Sequence, residues 1–219
     1  MRARLGRLHV ITDEVLQTRY SHAEIATMAT RGGADTVQFR EKRPRLTREL
    51  IEDAGAVVKA SEATGAICIV DDRADVTATV RAQGLHLGRD DLPAEVARSL
   101  LGTDVLIGGT ANSLEEARRV WQRPIDYLGV GPVYGTQSKA NPAPILGVDQ
   151  LAAITGECLV PVIAIGNITA DRVTEILDAG AHGIAVLSAI TCAADPEAAA
   201  WEFAQAIAAW LATREVEAS

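Results

Sequence analysis

Eight short apolar runs recur along the chain, most of them followed by a longer amphipathic stretch, and this alternation constrains the fold more than any single motif. The runs occupy 7–12, 36–40, 66–70, 84–87, 105–108, 127–130, 160–165 and 183–187. Their length suits strands buried on both faces, whereas 22–30, 47–64, 114–121, 170–179 and 196–211 carry the longer helical period. Parallel strands need a crossover, so the order strand, helix, strand predicts βαβ units. Repeated eight times, it predicts an α/β protein made of a single (β/α)8 TIM barrel over residues 1–219, with a disordered C-terminal tail from about 214. An open doubly wound sheet is the competing architecture, but no G-x-G-x-x-G follows the first run.

Three helix-to-strand joints look alike: Arg31-Gly32-Gly33-Ala34-Asp35, Arg81-Ala82-Gln83-Gly84 and Asp178-Ala179-Gly180-Ala181-His182. Each is expected to place a glycine in the left-handed turn that ends a helix. Their recurrence supports a repeated unit and carries no chemistry.

A length of 219 residues and 48% hydrophobic content allow a substantial core, and 4% aromatic residues suit close packing of helices on a sheet. The net charge of -8 argues against nucleic acid or an anionic membrane as a partner, because a phosphate backbone demands an extended basic surface. Any anion must be met by a local site. Cys68, Cys158 and Cys192 are scattered and form no C-x-x-C pair, so neither a disulfide framework nor a zinc site is expected, and a reducing cytoplasm is the natural compartment. The first residues lack an apolar signal core and no run reaches membrane-span length, so a soluble, unprocessed protein is expected.

Catalytic groups of such barrels gather at the C-terminal ends of the strands, and the polar candidates fall there. Gln38, Arg40 and Lys42 end the second run; Asp71, Asp72 and Arg73 the third; Asp90 and Asp91 the fourth; Thr110 the fifth. Thr136, Ser138 and Lys139 come after the sixth, Gly166 and Asn167 after the seventh, and Ser188 after the eighth. Arg40 and Lys42 alternate and therefore share one side, where a guanidinium fork and an ammonium can grip one phosphate or diphosphate. The plainer alternative is a solvated pair beside Glu41. Four aspartates beside two cations suggest a metal diphosphate, with Mg2+ held by one Asp from each strand. Helix capping is the alternative for Asp72, near Arg73, and for Asp90 or Asp91, before the helix after Pro93.

The loop 131–144 is rich in Gly and Pro and carries Thr136, Ser138 and Lys139, donors enough for a phosphate under a lid; a plain surface loop is the alternative. Gly166-Asn167 and Leu187-Ser188 lie where backbone N–H groups of many barrels cradle phosphate, although Gly166-Asn167 alone could be a simple turn. His86, inside the fourth run, reads as a packed or hydrogen-bonded residue rather than a base, and His9, His22 and His182 offer no catalytic argument.

In order and placement these motifs resemble the thiamine phosphate synthase family from His9-Val10-Ile11-Thr12-Asp13 to Leu187-Ser188-Ala189-Ile190. The resemblance rests on Gln38-x-Arg40-x-Lys42, Asp72-Arg73-Ala74-Asp75, His86-x-Gly88-x-x-Asp91, Gly131-Pro132 with Thr136-x-Ser138-Lys139, and Ala164-Ile165-Gly166. It implies condensation of a pyrimidinylmethyl diphosphate with a thiazole phosphate to give thiamine phosphate and diphosphate. Carried over, Gln38, Phe39, Arg40, Glu41 and Lys42 hold the pyrimidine diphosphate, Asp72 and Asp91 hold Mg2+, and Thr110 and Lys139 meet the diphosphate. Thr136, Gln137, Ser138, Gly166-Asn167 and Leu187-Ser188 hold the thiazole phosphate. Arg40, Lys42 and Lys139 are the catalytic candidates, because they would stabilise charge on the leaving group.

The chain departs from the family at Asp71, where Asn is usual, and at Thr110, Ser138 and Asn167, which stand for Ser, Thr and Gly. Asp71 is expected at the substrate, either facing it unshielded or serving as an extra metal ligand. The partners implied are the two small-molecule substrates, and assembly into a homo-oligomer stays open. The rival readings are a metal-independent thiazole tautomerase of the same superfamily and a non-catalytic binder of thiazole or thiamine phosphate.

Overall fold

The computed structural model describes residues 4–136 and 143–217, with side chains through Arg214. Eight parallel strands close on themselves: β1 (Leu8–Ile11), β2 (Thr36–Phe39), β3 (Ile67–Asp71), β4 (Gly84–Leu87), β5 (Leu106–Ala111), β6 (Tyr127–Val130), β7 (Val162–Ile165) and β8 (Gly183–Val186). In the seam, Val10 of β1 lies opposite Val37 on one side and Val186 on the other. The chain is a TIM barrel, and each strand follows an apolar run of the sequence.

Helices α1 (His22–Arg31), α2 (Thr47–Glu62), α3 (Ala74–Val80), α4 (Ala94–Leu101), α5 (Leu114–Val120) and α6 (Val148–Glu157) form the outer layer. They are followed by α7 (Val173–Asp178), the single turn α8 (Ser188–Thr191) and α9 (Pro196–Glu217). The helix expected over 170–179 begins as a 3-10 turn, Ala170–Arg172, before α7. The last helix continues past 214 to Glu217, and Asp178 accepts from Trp210 Nε1 at 2.8 Å and from Arg214 at 2.6 Å. Among the described residues no helix is long and apolar enough to cross a membrane.

Two of the three alike joints behave as expected, with Gly33 at φ 100° and Gly180 at φ 90°. At the third, Arg81 takes the left-handed turn at φ 56°, and Gly84 instead opens β4, where a Cβ would lie 2.8 Å from Ile69 Cγ1. The glycine there makes room between strands and does not end the helix. The fifth strand runs three residues beyond its apolar run, because Gly108 leaves the space that the Tyr127 ring fills: a Cβ on Gly108 would sit 2.1 Å from Tyr127 Cζ.

Packing separates into an inner and an outer layer, as alternation demands. Ile11, Ile69, Tyr127, Ile163 and Ala185 meet inside the barrel, while Val37, Phe39, Val57, Cys68 and Val70 pack between strands and helices. Burial drives the Cys68 thiol up to about 12, so this cysteine behaves as a small apolar residue. The N-terminal end of the barrel is tied shut: Asp35 accepts from the N–H groups of Arg7 at 2.8 Å and Leu8 at 3.1 Å, and Arg7 donates to the His182 carbonyl at 2.6 Å. The opposite end is left open for a site.

Candidate active site

A cavity of about 1000 Å³ opens at the C-terminal ends of the strands. Its floor is polar. His9 is buried and its imidazole falls to about 3, chiefly through burial, so it stays uncharged at any pH near neutrality. His86 is hydrogen-bonded, as its position inside a strand leads one to expect: Nδ1 lies 2.9 Å from the Tyr127 hydroxyl and Nε2 lies 2.9 Å from Thr110 Oγ1. Burial raises the Tyr127 phenol far above its usual range, which keeps that hydroxyl protonated. Gln38 completes the floor with an amide that can both donate and accept.

One wall is ionic. Arg40 binds Asp13, and Lys42 binds Asp72 and lies 2.8 Å from Asp71 Oδ2, which Arg40 Nε also approaches at 3.9 Å. The Lys42 ammonium loses hydration by burial, but Asp71 and Asp72 outweigh that and raise it. The Asp72 carboxyl rises, first through burial and then through the nearby charges of Asp71 and Asp91, which together outweigh the lowering by Lys42. Lys42 and Arg40 screen Asp71, so its carboxylate does not face the cavity unshielded.

The capping alternative fails for both metal candidates. Asp72 sits at φ 56°, helix α3 has Arg73 at its N-cap with no side-chain bond, and α4 starts from Pro93 with none either. Asp91 instead accepts from the Gly88 N–H at 2.6 Å, within the turn that leaves β4.

Across the cavity, Gly166 at φ 115° and Asn167 at φ 49° turn the chain after β7 beside Leu187 and Ser188. The Val133 N–H donates to the Ile165 carbonyl at 2.9 Å and the Tyr134 N–H to the Gly166 carbonyl at 3.1 Å, so the loop after β6 is laced to this turn. Thr136 lines the same wall, whereas Gln137, Ser138 and Lys139 lie outside the described residues.

Two expected substrate contacts point elsewhere. Phe39 packs in the outer layer with its ring 4.7 Å from that of His22, and Glu41 turns its carboxylate to Arg43 and His22. Both alternate with Gln38, Arg40 and Lys42, so when those three face the cavity these two cannot.

Sequence reading missed Asp13, which grips Arg40, and Asn112, whose amide donates to the Gly131 carbonyl and accepts from Arg89 at 2.6 Å. Both lie just beyond strand ends, so the rule that found the other candidates would have found them. Nothing local marks Tyr127 or His9 as floor residues, because each reads as part of an apolar run.

The cavity is thus lined by Arg40 and Lys42, each paired with carboxylates, and by the Gly166-Asn167 turn after β7. The family model for thiamine monophosphate synthase matches residues 8–190. The thiamine-phosphate synthase of Salinibacter ruber is 47% identical over 203 residues, covering 93% of this chain and 89% of its own. That of Chloroflexus aurantiacus is 42% identical, covering 89% of each chain. Among solved structures, the thiamine phosphate pyrophosphorylase of Pyrococcus furiosus superposes with a TM-score of 0.85 at 36% identity, over 94% of this chain and 96% of that one. With its barrel, its strand-end residues and these relatives in agreement, the chain belongs to the thiamine monophosphate synthase family.

Proposed function

We propose that the cavity joins 4-amino-2-methyl-5-pyrimidinylmethyl diphosphate to 4-methyl-5-(2-hydroxyethyl)thiazole phosphate, giving thiamine phosphate and diphosphate. The observation that carries this reading is one cavity lined both by Arg40 and Lys42 and by the Gly166-Asn167 turn, which we read as its two anion sites. In the reaction the methylene C–O bond breaks, the diphosphate leaves with the electron pair, and the thiazole nitrogen lone pair forms the new C–N bond. No proton need move, so the step asks no base of the floor.

Arg40 and Lys42 face the departing diphosphate and stabilise the charge that develops on it. The floor of Gln38, His86 and Tyr127 offers donors and acceptors to an aminopyrimidine edge. The Gly166-Asn167 turn and Leu187-Ser188 orient the thiazole by its phosphate, and holding two reactants in line contributes a large part of the acceleration. Thr136 belongs to this half of the site, with Gln137 and Ser138 following it in sequence; Lys139 is assigned to the diphosphate.

The donor set fits Mg2+. Asp71 and Asp72 share the Lys42 ammonium and Asp91 adds its charge near Asp72, a surplus of carboxylates where a diphosphate must enter, and hard oxygen ligands are what this ion prefers. Asp72 and Asp91 would hold it, and when bound it supplies Lewis-acid stabilisation of the leaving diphosphate. A cytoplasmic enzyme fits the same reading, since all three cysteines are free thiols.

The direct test incubates purified protein with both substrates and Mg2+ and follows thiamine phosphate and diphosphate together. Appearance of both in equal amounts is expected; persistence of both substrates would reject the assignment. Chelation is expected to abolish turnover. Because the Asp72 carboxyl is raised, protonation disarms it as pH falls, and the Mg2+ concentration for half-maximal rate should climb at a pH above the ordinary aspartate range.

Asp71→Asn separates screening from ligation. With Lys42 and Arg40 as its cation partners, the substitution should move the Mg2+ midpoint by no more than about twofold, while KM for the pyrimidine diphosphate falls as one repulsive charge is removed. A rightward shift of about tenfold in the Mg2+ titration would instead make Asp71 a metal ligand.

A further inference from the structure

Behind the cationic wall, the side chains that alternate with Arg40 and Lys42 form a second ionic cluster. Glu41, whose side chain is 1% exposed, accepts from Arg43 Nε at 2.9 Å and lies 3.3 Å from His22 Nε2. Arg43 reaches across to Glu14 at 2.7 Å, and Glu14 also accepts from the His22 N–H at 2.9 Å. His22 Nδ1 lies 2.7 Å from Thr12 Oγ1, and that hydroxyl is 3.4 Å from the Arg40 N–H. The end of β1, the start of α1 and the segment after β2 are thereby tied together.

Glu14, His22 and Glu41 offer ligand atoms within 4.8 Å of one another, a spacing that would suit a metal ion. Arg43 already stands there as the cation, with its guanidinium against both carboxylates. Burial alone would push the Glu41 carboxyl up, but hydrogen bonds from Arg43 and His22 overcome this and hold it at about 2. A charge cluster of this kind adds little stability by itself, because desolvation offsets most of the Coulomb attraction. What it does supply is direction. Arg40 and Lys42 line the cavity while Glu41 and Arg43 between and after them are held on the other side, so anchoring 41 and 43 constrains where 40 and 42 point.

We propose that Glu41 and Arg43, clamped against Glu14 and His22, are positioning residues that set the reach of Arg40 and Lys42 into the cavity. The inference rests on reading that wall as the diphosphate site. It differs from a contact role, since neither Glu41 nor Arg43 lines the cavity.

Hydrogen exchange over residues 40–46 and steady-state kinetics, in the wild type, Arg43→Ala and Arg43→Lys, test it. Arg43→Ala should speed exchange in this segment at least about tenfold and leave the strands unchanged. KM for the pyrimidine diphosphate should rise about tenfold and KM for the thiazole phosphate change by less than about twofold. Arg43→Lys should recover part of both effects, because it keeps the charge but loses the fork that spans two carboxylates. Should Arg43→Ala fail to fold, Glu41→Gln reads the same exchange with the shape of the side chain retained.

Exchange unchanged in a folded variant, or equal losses for both substrates, would overturn the clamp. The exchange measurement uses no substrate. A wild-type protein that made no thiamine phosphate would therefore sink the enzymatic reading and leave the clamp to be decided by exchange alone.

Discussion

Lys42→Ala is expected to lower kcat/KM for the pyrimidine diphosphate about a hundredfold while KM for the thiazole phosphate stays nearly constant. A charge-assisted contact to a leaving diphosphate contributes about 1.5–3 kcal/mol, and the low end applies because the Lys42 side chain is 39% exposed and screened by water. The substitution also strips Asp71 and Asp72 of their shared cation. Asp72, left bare, then repels the incoming diphosphate by about 1 kcal/mol even at the dielectric of water, while Asp71 keeps Arg40. Together these come to about 2.5 kcal/mol, or nearly two powers of ten in rate. Varying each substrate in turn checks the claim, with a melting curve to confirm that the barrel is intact. A loss of less than about threefold, or one shared equally by both substrates, would remove Lys42 from the diphosphate half of the site.

The other large effect is expected at Gly166. A Cβ there would lie 2.6 Å from Pro132 Cα and 2.8 Å from the Val133 nitrogen, backbone atoms that cannot rotate aside. Its φ of 115° adds strain of about 1–3 kcal/mol for any residue with a side chain. Relief by moving the loop after β6 would break the bonds from Val133 N–H to Ile165 and from Tyr134 N–H to Gly166, at about 1 kcal/mol each. Gly166→Ala should therefore lose about 3–5 kcal/mol of stability, or keep its fold with the turn displaced and KM for the thiazole phosphate raised at least about a hundredfold. Urea unfolding and steady-state kinetics distinguish these two outcomes. A variant with stability and KM both close to the wild type would show that the turn has room the backbone geometry denies it.

Much of this molecule is legible in the order of its residues. The eight strands lie where the apolar runs lie, because strand and helix periods come from covalent geometry and from partition between water and core, both expressed within a few consecutive residues. Barrel topology then places strand ends on one rim, so Arg40, Lys42, Asp71, Asp91, Thr110 and Gly166 could be gathered at one cavity without knowledge of any contact. Alternation along 38–42 even separates the residues that face the cavity from Phe39 and Glu41, although the family pattern had placed all five together.

Tertiary structure alone decided the partners. That Asp71 is screened by Lys42, that Asp13 holds Arg40, and that Gly108 is small because Tyr127 fills its place are pairings between separate βα units. So is the cluster that sets Arg43 against Glu14 and Glu41 against His22. Arg81, and not the glycine three residues on, takes the left-handed turn because that glycine is needed where Ile69 crosses β4. Local sequence determines which face of an element is apolar and where the element ends. Which charges meet across strands depends on register and closure, and those exist only once the whole barrel has formed.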